Sequence, residues 1–337
     1  MKIFAMKYSR TASRCFSMIF GLAVVIGGMA TAKAACTLTG FVRDSINLTA
    51  AQINPSGTVS GDVDATGCNI GIYYDHATGA VNNANVHGAN YYGVVVNGDV
   101  NAVAVDVTNN TVTQIGEIPF NGTQHGVGIY YRAFGAGSTS GKVAGNIVTQ
   151  YQKGGIVVNG ASFVAVSNNT VTGLGRVDFI AQNGIQAGYG ATVQIKGNVV
   201  TGNAYTGANF ASSGGVLVVG GDCYGGALTI GTQIVGNTLV NNDVGAFLSN
   251  LDASCNPPLT STDVKVVNNT ITDDGLTNIS GNGPIGYQAG VSDQGNNDRI
   301  INNTISGVGY TAPGNSTTFA TPIDTSATNQ PKVHANK

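Results

Sequence analysis

The chain has 337 residues, enough for one large domain with its own core, yet only 9% of them are charged, against roughly 25% in ordinary soluble proteins. Glycine accounts for 49 residues and glutamate for a single one, Glu117. Charge-driven disorder is excluded, and a helical protein is disfavoured, since glycine costs about 1 kcal/mol in a helix interior.

Residues 1–34 carry Lys2, Lys7, Arg10, Arg14 and Lys33 without an acid, then an apolar run from Phe16 to Ala30, then Ala32-Lys33-Ala34. A basic start, a short apolar stretch and an A-x-A site predict a secretory signal peptide rather than a membrane span, which needs about 20 apolar residues. The mature chain is expected to be secreted, periplasmic or on the cell surface, with no span after processing. Ten basic groups then face 17 acidic ones, so no nucleic-acid partner is expected. Four cysteines remain, Cys36, Cys68, Cys223 and Cys255. An even number in an exported chain predicts two disulfides. No spacing suggests a metal site, and no cofactor is expected.

Residues 35–70 lack the repeat that follows and are assigned to an N-terminal cap. From 71 to 310 one pattern recurs: a glycine, an alternating apolar strand, a turn, a second alternating strand, then an asparagine and a β-branched triplet. Its ending reads Asn109-Asn110-Thr111-Val112-Thr113, Gly145-Asn146-Ile147, Asn168-Asn169-Thr170, Gly197-Asn198-Val199, Gly236-Asn237-Thr238, Asn268-Asn269-Thr270 and Asn302-Asn303-Thr304. The first strands begin at Gly71, Gly93, Gly128, Gly155, Gly184, Gly215, Gly245 and Gly290, each followed by an apolar residue. The second strands alternate too, as in Val105 and Val107 or Val193 and Ile195. Period two with an irregular longer repeat predicts coils of short strands stacked about 4.8 Å apart around a shared core. From 311 to 337 the repeat stops, predicting a disordered end or a strap over the solenoid.

The Asn-Asn-Thr-Val-Thr type repeats resemble the right-handed parallel β-helix of the pectin-lyase-like superfamily. The resemblance implies an all-β, single-stranded solenoid of about eight coils over most of residues 36–310. It implies that Asn110, Asn146, Asn169, Asn198, Asn237, Asn269 and Asn303 stack as a hydrogen-bonded ladder. In that register Cys223 and Cys255 occupy similar places in adjacent loops and are expected to bridge, leaving Cys36 and Cys68 to tie the cap to the first coil.

The outward position of the first strand reads Tyr73, Val95, Tyr130, Val157, Gln186, Leu217, Phe247 and Ser292. Such an apolar column marks either a binding surface or a face covered by the tail or long loops. Asp75, Asn97, Arg132 and Asn159 follow at the ends of successive strands. With Tyr73, Tyr130 and Phe247 they form a candidate ligand surface for a polysaccharide or cell-surface glycan. Two functional readings follow: an exported structural, adhesive or carbohydrate-binding protein, and a polysaccharide lyase or epimerase. The second would use Arg132 to neutralise a uronate carboxylate, with His76 and Tyr130 as base and acid. The catalytic motifs of related enzymes are missing, and Asp273-Asp274 reads as a solvated loop, which favours the noncatalytic reading. A lesser alternative is ice binding, from the outward Thr-x-Thr pairs at Thr111 and Thr113, Thr170 and Thr172, and Thr270 and Thr272, which are similar to the flat face of β-helical ice-binding proteins. Oligomeric state is left open.

Overall fold

The structure, a computed structural model, describes residues 35–209, 211–276, 286–313 and 318–337. The expected signal peptide lies outside the described residues. The described chain is almost entirely strand. An 11-stranded sheet and a 17-stranded sheet run along one axis. Each coil gives one strand to the first sheet and, in most coils, two short strands to the second. In the coil starting at Tyr92, these are Tyr92–Asn97, then Ala102–Thr108 and Thr111–Thr113.

The interior follows from the alternation in the sequence. Ile72, Val94, Ile129, Ile156, Ile185, Val216, Ala246 and Val291 pair in register down the first sheet. All eight have no exposed surface. The second sheet faces them with Val105, Val107, Val164, Val166, Val193 and Ile195, then Val112, Val148, Val171, Val200, Leu239 and Ile271. Each such side chain contributes about 1.5–3 kcal/mol by leaving water, more than any single surface contact.

The corner between the second and third strands is always two residues long, and its geometry dictates the repeat. The first of the two takes a left-handed backbone: Asn109, Gly145, Asn168, Gly197, Gly236, Asn268 and Asn302 have φ between 54° and 67°. Only glycine and asparagine adopt this conformation readily. The second is the ladder asparagine. Asn169, for example, donates its backbone N–H and Nδ2 to Asn198 Oδ1, both at 2.9 Å, and Nδ2 also reaches Val143 O at 2.9 Å. The same three contacts link Asn110 to Asn146, Asn146 to Asn169, Asn198 to Asn237, Asn237 to Asn269, and Asn269 to Asn303. Inside the stack both amide protons and the carbonyl oxygen are satisfied, which a buried amide requires.

Stacking extends past both ends of the sequence repeat. Ile46–Ile53 already pairs in parallel with Ile70–Tyr74, and Thr58–Asp64 with Gly79–His87. Most of the expected cap is therefore a coil. Beyond 310, Thr318–Asp324 adds to Gly286–Asp293 and Lys332–His334 to Arg299–Ile301. Asn336 accepts from Asn303 N and Nδ2 at 2.9 Å. The segment read as a disordered end or strap adds a further coil, and ten coils stack among the described residues where about eight were expected. Thr37–Arg43 is the exception in the first sheet: it pairs antiparallel with Ile46–Ile53. Both disulfides are present, Cys36–Cys68 and Cys223–Cys255, with Cα separations of 5.3 and 5.0 Å. Among the described residues, no helix is long and apolar enough to cross a membrane.

Candidate functional site

The apolar outward column is buried at its first four members, Tyr73, Val95, Tyr130 and Val157. Thr37–Arg43 breaks register between Leu38 and Val42 and brings Phe41 over the sheet. Phe41, Tyr73, Tyr92, Val95, Tyr130 and Val157 form a second hydrophobic cluster outside the solenoid core. Phe41 stacks on Tyr73 with centroids 6.2 Å apart and on Tyr92 at 6.0 Å, and Tyr92 stacks on Tyr130 at 5.2 Å. Burial pushes the Tyr73 hydroxyl up to about 12 and raises that of Tyr92 still further. Further along the axis Gln186, Leu217 and Phe247 stay half-buried.

Two hollows flank the crossing strand. The first, of about 440 Å³, is lined by Thr39, Phe41, Tyr73, Asp75, His76, Asn97, Asp99, Asn101 and Arg132, among others. Its polar side chains are already paired with one another. Arg132 Nη1 donates to Asp99 and, at 3.0 Å, to Asn97 Oδ1. Asn97 Nδ2 reaches the Tyr73 hydroxyl at 2.9 Å. The guanidinium also sits between the rings of Phe41, 4.6 Å away, and Phe134, 5.3 Å away. Asp75 accepts from Asn54 Nδ2 at 2.8 Å and contacts His76 Nδ1. A guanidinium paired with a carboxylate is poorly placed to neutralise a second one.

The second hollow, of about 360 Å³, is lined by Arg43, Tyr92, Gln124, Tyr130, Phe134, Lys153, Asn159, Gln186 and Tyr189, among others. It holds two cations and no carboxylate. Lys153 precedes the glycine pair that opens the strand Gly154–Gly160. Its Nζ donates to Ala181 O at 2.8 Å. Among the described residues no carboxylate pairs with it, and burial lowers its pKa to about 8. Gln186 Nε2 donates to Asn159 Oδ1 at 3.0 Å, and Phe134 lies 6.1 Å from Tyr189, tilted. Tyr189 is raised by burial.

The expected residues therefore divide. Tyr73, Asp75, His76, Asn97 and Arg132 line the first hollow; Tyr130 and Asn159 line the second; Phe247 lines neither. The proposed trio of Arg132, His76 and Tyr130 does not share one hollow. Sequence reasoning missed Lys153, Arg43, Tyr189 and Phe41. Lys153 carried one signal, a lone cation at a strand entrance in a chain poor in charge. The Asp273-Asp274 doublet is only half solvated: Asp274 is exposed, while Asp273 is buried and accepts from Gln288 Nε2 at 2.6 Å and Arg176 Nη2 at 3.3 Å. The threonine columns are in register, but Ile147, Val199 and Val240 interrupt them.

Searches of curated proteins and of solved structures returned no match. The family model described as a right handed beta helix region matches residues 49–224, just over half of the chain. With its parallel stacked sheets and asparagine ladder, the chain belongs to the right handed beta helix family.

Proposed function

We propose that this β-helix is a noncatalytic glycan-binding protein that works outside the cytoplasm and takes an anionic sugar in the second hollow. The observation that carries this reading is Lys153, a largely buried cation without a carboxylate partner among the described residues, set among Tyr130, Tyr189 and Phe134. Burying an unpaired charge costs stability and is retained where a partner supplies the missing anion. Aromatic rings match the apolar faces of sugars, and the amides of Asn159 and Gln186 match hydroxyl groups. The two disulfides favour an oxidising compartment.

The test is a glycan array of acidic and neutral polysaccharides probed with the wild type and with Lys153→Met. Binding confined to acidic glycans and lost in the variant is the expected result. Equal binding of neutral glycans, or retention in Lys153→Met, would count against it. The lyase reading has one observation in its favour, an amine lowered to about 8 in the same hollow as Tyr130, suited to act as a base near neutral pH. Release of unsaturated sugars by the wild type would decide for it.

A further inference from the structure

We propose that Tyr73, Tyr92 and Arg132 form a ring-binding subsite between the two hollows, filled by the chain's own Phe41 while the Cys36–Cys68 disulfide is closed. Its ligand is a pyranose ring of the same anionic glycan, so the inference rests on the function proposed above and adds its regulation. Phe41 lies nearly parallel to both tyrosine rings, at interplanar angles of 18° and 23°, with the Arg132 guanidinium 4.6 Å from its centroid. Without Phe41, the same two tyrosine rings would offer faces to the apolar C–H side of a pyranose, and the guanidinium a donor to its hydroxyl groups. Asn97 and Asp99 lie beside it, each already bonded to Arg132, and a sugar hydroxyl would share those bonds. Arg132 lines the first hollow, Phe134 lines the second, and Phe41 packs against Arg132. Taking Phe41 away would join the hollows into one continuous groove.

The strand that carries Phe41 is separable from the solenoid. It is the one antiparallel member of the first sheet, and it joins Ile46–Ile53 through Asp44 and Ser45, both with positive φ of 51° and 63°. Its Leu38 and Val42 are 64% and 60% exposed. Among what holds it are the antiparallel ladder, the bonds from Thr39 Oγ1 to Leu48 O at 2.8 Å and from Gly40 N to Asn47 Oδ1 at 3.0 Å, the Phe41 ring, and the disulfide from exposed Cys36 to buried Cys68. A terminal edge strand with much of its surface in water opens before the core does. A dithiol reductant would release it. Its thiolate attacks Cys36 Sγ, and Cys68 leaves as a thiolate and takes a proton. The second thiol of the reductant then attacks the reductant's own sulfur in the mixed disulfide, and Cys36 leaves as a thiolate and takes a proton, so two electrons pass, the reductant becomes a cyclic disulfide and two cysteine thiols result.

Hydrogen exchange and binding of polygalacturonate oligosaccharides test this on the full chain. The forms compared are wild type, Cys36→Ser, Phe41→Ala with the disulfide intact, and Cys36→Ser combined with Tyr92→Ala. Expected are faster exchange over residues 37–43 in Cys36→Ser with residues 127–133 unchanged, and about tenfold tighter binding in both single variants, a shift that an opened subsite supplies by mass action. Adding Tyr92→Ala should cancel the gain. Wild-type binding that Cys36→Ser and Phe41→Ala leave unchanged would overturn the subsite and leave the glycan reading standing. Absence of binding in every form would remove both. Unchanged exchange over 37–43 in Cys36→Ser would show that the disulfide does not hold the strand.

Discussion

Lys153→Met should make the protein more stable at neutral pH, and by an amount that pH controls. Burial lowers the Lys153 amine from 10.5 to about 8, and each pKa unit corresponds to about 1.4 kcal/mol. The folded state therefore carries a penalty of about 3 kcal/mol wherever the lysine is charged in both states. Methionine keeps the stem but loses the bond to Ala181 O at 2.8 Å. That loss costs about 1 kcal/mol, because Ala181 is only half-buried and its carbonyl can turn to water. A net gain of about 2 kcal/mol remains. The folded pKa lies below the unfolded one, so between about 8 and 10.5 the unfolded chain binds the extra proton. Wild-type stability rises with pH across that window. The advantage of the variant is thus full at pH 7, shrinks above pH 8 and is gone by 10.5. Guanidinium unfolding of both proteins at pH 7 and pH 10, followed by circular dichroism, measures it. A variant no more stable than wild type at pH 7, or a gain that persists unchanged at pH 10, would refute the assignment of Lys153 as an unpaired buried cation.

Other consequences follow from single residues. Asn198→Ala takes the acceptor from Asn169 N and from one Nδ2 proton of Asn169 on one side, removes the side-chain donor of Val166 O, and leaves Asn237 Oδ1 with only the backbone N–H of residue 198, and should lower stability by about 3 kcal/mol in thermal unfolding. Asn336→Ala, with one neighbour in the stack, should cost clearly less. Gly236 has a φ of 64° and open space where a Cβ would go. Gly236→Ala should cost about 1 kcal/mol from backbone conformation alone, while Gly236→Asn, the residue used at equivalent corners, should cost little. Asp298 is buried, its neighbour Asp293 adds repulsion, and its pKa is raised to about 8. The folded state then holds the proton more tightly, so wild-type stability should fall as pH rises from about 4 to 8. Asp298→Asn should remove that slope in melting temperature against pH. Loss of Cys223–Cys255, at a sequence separation of 32, should cost about 3–4 kcal/mol by the chain-entropy estimate.

The stack was legible because its tightest corner constrains two adjacent residues at once. A left-handed residue followed by a ladder amide writes Asn-Asn or Gly-Asn into seven successive coils, whatever the loops do. The ends lost that signature for local reasons. In the last coil Ala335 takes the left-handed position with a φ of 51°, and only Asn336 keeps its part. In the first, Gln52 occupies the register of Ile72, which hides the inward column. At Ala84 a backbone N–H meets Asn110 Oδ1 at 2.8 Å without a side-chain amide. The site was less legible because it depends on a crossing. Nothing periodic in Thr37–Arg43 announces that Phe41 lands on Tyr73 and Tyr92. The isolation of Lys153 depends on which residues of other coils face it, and this is set by loop length rather than by local pattern.

The same corner explains where chemistry sits on this solenoid. Ladder spacings range from 23 to 39 residues, yet the two-residue corner never lengthens, because an insertion there would pull one amide out of the stack and orphan its neighbours on both sides. Extra residues are forced into the other two corners, and both of these border the first sheet. One insertion, Gln114–Gly126, brings Gln124 to the second hollow and places His125 against Glu117 at 2.8 Å. Two others, after Gly214–Gly220 and Val244–Asn250, carry Cys223 and Cys255. Rigidity and variability are thereby separated on one molecule: the ladder side holds the coils at fixed spacing, and the face of the first sheet, rimmed by every loop that is free to change, is where a binding site can be assembled without disturbing the stack.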